Sequence, residues 1–283
     1  MDSVTATEAI EKTDLLRVLG GYKGTCAFEQ ALYATRSKSL LSPLANYIQF
    51  NSVFGSGVAN LAGEIGVRQH LFRDRCEEVD VFADRSVEVA AKIFYAAIGE
   101  FGDVCTARRS THRTLSQATL RGAADFFSFP PELLKTIARP NRITTNAIAT
   151  VCEGYGLNQT LSDRQIFQGI GFHLASETLA DEEFVALDRI LRSAYPELVA
   201  NLEQAQLRVN GSLCSGYLWI RLHTTVEAEH SASALDGANL ALRYYAGAES
   251  RVCVREWILE GAQHFAAIQS EFMEGLRSNA SGR

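Results

Sequence analysis

The 283-residue sequence has no run of basic residues and no stretch that alternates aromatic with basic residues, so nucleic-acid binding is not expected. Its first residues form neither a basic segment nor an apolar one, and so lack the features of a secretory signal peptide. The stretch 39–63 carries no charge, but its Pro43, amides and hydroxyls would be costly in lipid. We therefore expect a cytoplasmic protein without a membrane span, in which this stretch is a buried helix.

Cysteine is sparse, without any C-x-x-C pair, and no cysteine lies within four residues of a histidine. In a chain of this length without a signal peptide, the cysteines are expected to be reduced and mostly buried. A catalytic thiolate is the weaker interpretation. The six residues are Cys26, Cys76, Cys105, Cys152, Cys214 and Cys253.

Strand signals are weak, because only 78–82 alternates polar with apolar residues. Elsewhere apolar residues recur at three- and four-residue spacing, which predicts helices. The predicted helices cover 5–19, 25–34, 43–65, 87–101, 111–127, 146–155, 163–178, 182–195, 198–206, 213–245 and 251–276. No repeat or linker divides the chain. We therefore expect one all-α domain over 1–283, a multi-helix bundle whose tails at 1–12 and 278–283 are frayed.

The most informative pattern is H-x-x-x-E-x-x-H, formed by His223, Glu227 and His230 in one predicted helix. At about 100° per residue, offsets of four and seven place these side chains within about 60° of one another. Two imidazoles and a carboxylate suit iron, manganese or zinc better than magnesium or calcium. Three ligands from one helix leave a metal ion under-coordinated, so other segments must supply the rest.

Glu100 and His112 are the first candidates outside this helix. On a continuous helix they would lie about 120° apart, but the Gly102-Asp103 pair interrupts the pattern between them. Thr111, or Ser110 before it, is suited to cap a new helix there. With that break, both side chains can point inward from either side of a kink. The alternative is a surface glutamate followed by an unrelated first-turn histidine.

Glu177 follows 169–176, a segment rich in small residues at which another helix can approach closely. A carboxylate there is costly to bury unless it is paired or binds a metal. His173 lies four residues earlier on the same face. Three roles remain open for it: a metal ligand, a hydrogen-bond partner of a ligand, and a substrate contact. Glu182 and Glu183 are expected instead in the solvated first turn of the next helix, so Glu177 is preferred.

Substrate contacts are harder to predict. Trp219 precedes His223 by four residues and Phe172 adjoins His173, so both are candidates to line a pocket, although large aromatic side chains more often belong to the core. Four arginines are candidates to bind a substrate carboxylate, with surface ion pairing as the alternative. They are Arg108, Arg109, Arg113 and Arg221.

Together the ordered candidates resemble the haem-oxygenase-like di-iron oxidases and oxygenases. That family has a Glu and then a His around a helix junction, a second Glu on a later helix, and a closing H-x-x-x-D/E-x-x-H. The resemblance spans about 88–245. It departs from the family in having Glu227 where Asp is more common, and in the long interval from Glu100 to His112. The segment 172–191 is also similar to a branch near a chlamydial death-domain-associated protein and cyanobacterial relatives.

The resemblance implies a bundle of seven or more helices, commonly a homodimer, that binds two iron ions and uses O₂ as co-substrate. The implied ligands are Glu100, His112, Glu177, His223, Glu227 and His230. It also implies oxidation of a small organic substrate, such as an amino acid or a fatty acid, in natural-product or cofactor biosynthesis, with an external reductant. Two alternatives remain open: a helical interaction protein with a vestigial metal site, and a thiamine-salvage-type hydrolase on the same scaffold.

Overall fold

The computed structural model describes residues 8–74, 83–103, 106 and 109–280, without the side chains at 212, 226 and 227. The helices of this part are α1 (Lys12–Leu19), α2 (Gly24–Tyr33), α3 (Leu41–Asn51), α4 (Phe54–Gly66), α5 (Ser86–Phe101), α6 (His112–Phe126), α7 (Pro131–Ile137), α8 (Arg142–Gly154), α9 (Asp163–Ala194), α10 (Pro196–Gln204), α11 (Leu218–Tyr244) and α12 (Arg251–Ala280). Two short antiparallel strand pairs join them: β1 (Arg73–Asp74) with β2 (Ala83–Asp84), and β3 (Gln206–Val209) with β4 (Ser212–Ser215).

The prediction of an all-α multi-helix bundle is confirmed, because helices make up nearly all the regular structure of the described residues. The alternating stretch 78–82 lies outside them. Among the described helices, none is both long and apolar enough to cross a bilayer. The uncharged stretch 39–63 does contribute buried helical residues, but as α3 and α4 instead of one helix. The helix breaks after Asn51, where side chains compete for the last carbonyls: the Asn51 amide donates to Tyr47 O and the Ser52 hydroxyl to Gln49 O.

Helix α9 is the central element and packs against α2, α4, α11 and α12. It is one helix of 32 residues, so the prediction of two helices, 163–178 and 182–195, was wrong. Ser162 caps its start in a capping box with Gln165. The residues between the two predicted helices are Leu179, Ala180 and Asp181; they include no glycine or proline, and Leu and Ala are strong helix formers. The consequence is that Glu183 is carried into the interior.

Two glycines let α9 and α12 meet backbone to backbone. A Cβ added at Gly171 would lie 1.7 Å from Ile258 O, and one at Gly261 would lie 1.9 Å from Gln168 O. Both distances are far below van der Waals contact, so only glycine fits at either position. The close approach that the small residues of 169–176 predicted is therefore observed.

Two other boundaries differ from the predictions. Residues 213–217 are not the start of a helix, because Asn210 and Gly211, both at positive φ, turn β3 into β4. An Asn-Gly pair is the strongest short hairpin signal, and it was overlooked. Helix α7 lies in a stretch for which no helix is predicted, and its Pro131 occupies the first turn, where proline is favoured.

The described parts of the two predicted tails make regular contacts with the rest of the protein. Ile10, inside the expected frayed segment 1–12, is buried, and its backbone exchanges two hydrogen bonds with the Asn239 side chain. At the other end, α12 continues through Ala280, four residues beyond its predicted end at 276. Burial of one apolar side chain and continued helical hydrogen bonding explain both differences.

Candidate metal centre

The junction between α5 and α6 brings Glu100 and His112 together. Helix α5 ends at Phe101, and α6 begins at His112 after Thr111, whose hydroxyl accepts from the Thr114 N–H as the N-cap. His112 is buried, and its Nδ1 lies 2.8 Å from Glu100 Oε1. The break expected at Gly102 thus turns both side chains toward the same interior point, and the alternative of two unrelated residues is wrong.

Glycines make room for this pair. A Cβ added at Gly55 of α4 would lie 2.7 Å from the Glu100 Cβ, so α4 approaches α5 closely at the carboxylate. A Cβ at Gly99 would lie 3.2 Å from the His112 ring. Both positions fix the room available to the two side chains, and neither was singled out in the sequence.

His223, on α11, is the third member of this group. Its Nδ1 donates to the carbonyl of Trp219 at 2.7 Å, while its Nε2 lies 4.0 Å from Glu100 Oε1. Phe184 stacks on the imidazole at 4.1 Å between centroids, and the Trp219 ring meets its edge at 5.5 Å. A carbonyl only accepts, so Nδ1 carries a proton and the neutral ring offers its lone pair at Nε2.

His112 is oriented in the same manner. Its Nε2 lies 3.2 Å from Asp103 Oδ2, and its Nδ1 faces Glu100. Ligand atoms of Glu100, His112 and His223 all lie within 4.8 Å of one another. Each imidazole therefore directs one nitrogen at a protein acceptor and the other at a shared carboxylate, which is how metal-binding histidines are usually held.

A second group lies next to the first, around Glu177 of α9. Its Oε2 is 3.5 Å from His230 Nδ1, and its Oε1 is 3.4 Å from His173 Nδ1. His173 is fully buried and also lies 3.4 Å from the Tyr155 hydroxyl, which in turn is 2.8 Å from the Ser176 hydroxyl. The two groups contain five of the six residues that the resemblance nominates as ligands. The backbone of Glu227 lies on α11 between the two histidines, and its side chain is outside the described part.

The electrostatics keep both glutamates ionised. Burial alone would raise the pKa of Glu100, but His112 and His223 hold it at about 2. The pKa of Glu177 is likewise lowered, because the pull of His230 and His173 exceeds the effect of burial. Burial would lower the pKa of His112, yet Glu100 and Asp103 raise it. In His173 burial dominates and the pKa falls. Glu100 and Asp103 therefore favour a positive charge at His112, which a bound metal cation would also provide.

A cavity of about 40 Å³ lies between the two groups. This is room for a few water molecules, well below the volume of drug-sized ligand sites. Its polar lining includes Glu100, Glu177, Glu183, His223, His230, Asn51, Ser176 and Gln269. Its apolar lining is Phe50, Phe54, Val58, Ala96, Ala180, Phe184 and Phe265. Any substrate larger than a few atoms must move these side chains to enter.

The three residues predicted as substrate contacts are not in this lining. Phe172 is buried between Tyr155 and Phe265. Trp219 packs on the His223 ring, and its backbone carbonyl accepts the hydrogen bond from His223 Nδ1. His173 lies against Glu177 Oε1, the carboxylate oxygen that does not face His230. Trp219 and His173 therefore contact candidate ligands, whereas Phe172 is part of the core. Among the candidate arginines, Arg109, Arg113 and Arg221 are exposed, none lines the cavity, and Arg108 lies outside the described residues.

Sequence reasoning missed Asp103 and assigned Glu183 wrongly. Asp103 was noted only as part of a helix break, although an acid close to a candidate histidine ligand is a recognisable signal. Glu183 was expected in solvent but is only 1% exposed. Its carboxylate accepts from the Tyr22 hydroxyl, from the Gln269 amide and, at 3.3 Å, from the Tyr47 hydroxyl. These donors come from three different segments, which sequence spacing does not reveal.

The described cysteines give no support to a thiol-dependent hydrolase. Cys26 is exposed and Cys152 and Cys253 are half-buried, so the expectation of mostly buried cysteines was wrong; of the four described, Cys214 alone is buried. None of the four lines the cavity. Cys76 and Cys105 lie outside the described residues.

Comparison with known proteins adds little. No family model matches the chain, and no curated protein matches it. A crystal structure of a CADD-like protein of unknown function from Nostoc punctiforme matches over 99% of this chain and 92% of its own, at 14% identity and a TM-score of 0.46. Function must therefore be argued from the site itself.

Proposed function

We propose that this protein is a non-haem di-iron oxidase or oxygenase that uses O₂ to oxidise a small organic substrate. One observation carries the proposal: His112 and His223 each keep one ring nitrogen on a protein acceptor and turn the other toward Glu100 Oε1. Histidines oriented in this way, beside an ionised carboxylate, are suited to a metal ion with mixed N and O ligands. The choice of iron comes from the resemblance of the ordered ligand set.

The residues divide into two sets of ligands. Glu100, His112 and His223 would hold one ion. Glu177 and His230 would hold the other, with Glu227 from the same helical face as the two histidines of α11. Iron bound there supplies redox chemistry with O₂, and the electrons come from an external reductant.

The remaining residues of the site orient ligands and exclude water. Asp103 and the Trp219 carbonyl fix the tautomers of His112 and His223. Phe184, stacked on His223, prevents that ring from rotating out of the site. The phenylalanines of the cavity wall keep the centre dry, which strengthens electrostatic interactions inside it.

The test is metal loading followed by O₂ consumption. Protein loaded anaerobically with Fe(II) and freed of excess metal is expected to retain about two irons per chain, as di-iron carboxylate proteins do. It should then consume O₂ with ascorbate present, whereas the same protein loaded with Zn(II), which has no redox chemistry, should not. His223→Ala and Glu177→Ala should each lower the iron content.

A matched control is His70→Ala, because His70 is an exposed histidine outside the site. Its iron content and O₂ consumption should equal those of the parent protein. Failure of the parent protein to bind iron, or undiminished iron binding in His223→Ala, would contradict the proposal. A protein that binds iron without consuming O₂ would instead fit the interaction protein with a vestigial site.

We also propose that the protein is a homodimer that pairs through α5. Val87, Phe94, Ile98 and Phe101 of this helix are 39% to 62% exposed. Val87, Phe94 and Phe101 are seven residues apart, and Ile98 lies between the last two. This is the spacing of apolar residues where two helices pair. The same stripe on a second copy is a complementary partner, since a two-fold interface uses one patch twice.

A further inference from the structure

Glu183 forms a second polar wall of the cavity, away from the candidate ligands. Its Oε1 accepts hydrogen bonds from the Tyr22 hydroxyl and the Gln269 amide, and its Oε2 accepts one from the Tyr47 hydroxyl at 3.3 Å. These donors stand before α2, on α12 and on α3. Three elements thus converge on one carboxylate that no part of the proposed metal chemistry uses.

The donors around Glu183 are all neutral groups. Burial raises the pKa of this carboxyl to about 7, although the three hydrogen bonds lower it. An ionised carboxylate in such surroundings gains strongly from a cation. Lys and Arg are absent from the described residues that line the cavity, and its two lining histidines, His223 and His230, lie against Glu100 and Glu177 instead of Glu183.

Gln269 adds a second, independent observation. It lines the same cavity and is only 2% exposed, and its amide nitrogen is bonded to Glu183. Its Oε1 is buried and has no hydrogen-bond partner in the described part of the chain. An orphaned buried acceptor is unfavourable, and an N–H from a ligand would satisfy it.

We propose that Glu183 and Gln269 form a subsite for the ammonium group of an organic amine. Ammonium is the fitting ligand because it carries a positive charge and several donors, which suit the anionic carboxylate at its Oε2 and the Gln269 Oε1. The neighbouring Phe50, Phe54 and Phe265 would contact the carbon chain. That this subsite binds the substrate of the enzyme rests on the proposed function. Of the two substrate classes that the resemblance implies, the subsite favours an amine or amino acid over a fatty acid.

The test is equilibrium binding of two matched probes, n-butylamine and 1-butanol, by isothermal titration calorimetry at pH 7.5. Chelator-treated protein and anaerobic Fe(II)-loaded protein are both measured. The amine should bind roughly tenfold or more tightly than the alcohol, the advantage of a charge-assisted over a neutral hydrogen bond. Glu183→Gln should abolish that preference, and Gln269→Leu should reduce it. Glu182→Gln, which alters the adjacent exposed acid, should leave it unchanged.

Iron content of every sample separates this inference from the proposed function. Equal binding of amine and alcohol by the parent protein overturns the subsite, whatever the iron content and whether or not the variants fold. A preference that survives in folded Glu183→Gln overturns it as well. Amine preference in a protein that binds no iron supports the subsite and counts against the oxidase.

Discussion

Replacing Glu183 by glutamine should change how stability depends on pH. An ordinary glutamate titrates near pH 4.5, and burial raises the pKa of Glu183 to about 7 in the folded protein. A raised folded pKa means that the stability contributed by this group is fully present below pH 4.5 and is lost as pH rises through 7. The difference between a pKa of 4.5 in the unfolded chain and about 7 in the folded protein corresponds to about 3 kcal/mol of unfolding free energy in all. Between pH 5 and pH 8 the loss is about 2 to 3 kcal/mol.

The assay is urea unfolding of chelator-treated protein at pH 5 and pH 8, followed by the fluorescence of Trp219 and Trp257. Other groups also change the stability over this pH range, such as His112, whose raised pKa means that its contribution is lost as pH rises. Their contributions cancel in the difference between Glu183→Gln and the parent protein. The free energy of unfolding of Glu183→Gln minus that of the parent protein should increase by about 2 to 3 kcal/mol from pH 5 to pH 8.

The neighbouring exposed acid provides the control for this measurement. Glu182→Gln should show a difference that stays within about 0.5 kcal/mol at both pH values. A pH-independent difference for Glu183→Gln would refute the argument, because it would mean that the buried carboxyl titrates as it does in the unfolded chain. A difference that moves toward the parent protein would mean that the carboxylate is already compensated by a cation.

Three further predictions follow from the packing. Gly171→Ala should destabilise the fold by about 3 kcal/mol or more in urea unfolding, because its Cβ would overlap Ile258 O; Gly63→Ala, with nothing within 4 Å, should be neutral or slightly stabilising. Asp103→Asn should weaken iron binding about 10- to 100-fold in a chelator competition, because His112 loses its carboxylate acceptor, and unchanged affinity would exclude that role. Phe94→Glu should convert a dimer to a monomer in sedimentation velocity, whereas a parent protein that is already monomeric would contradict pairing through α5.

The sequence was sufficient wherever one local feature determined the outcome. Helical periodicity predicted the bundle, and the Gly102 break with a capping threonine predicted how Glu100 and His112 meet. The small residues before Glu177 predicted the close helix packing that buries it. Each of these inferences depends on a few neighbouring residues, for which propensity and steric rules hold well.

The sequence failed where segments far apart in the chain decide the result. Glu183 was assigned to solvent from its acidic neighbours, and nothing local reveals that Tyr22, Tyr47 and Gln269 converge on it. Whether Phe172 and Trp219 line a pocket also depends on distant segments, and both belong to the core, the commoner location for large aromatic side chains. Trp219 is on the helical face of His223, as predicted, but it packs beside the ring and away from the cavity. Periodicity gives the direction of a side chain without telling what lies opposite.

The two proposals answer one electrostatic question. Glu100, Glu177 and Glu183 all line one small cavity, and the lowered pKa values of the first two keep them anionic at neutral pH. Adjacent carboxylates repel unless cations separate them. Glu100 and Asp103 raise the pKa of His112, so positive charge is favourable beside these carboxylates. Metal ions suit the side on which imidazole nitrogens converge, and an ammonium suits the side with oxygen acceptors alone. The two ligands should therefore occupy the protein together, and bound metal should weaken amine binding by charge repulsion across the cavity without abolishing it.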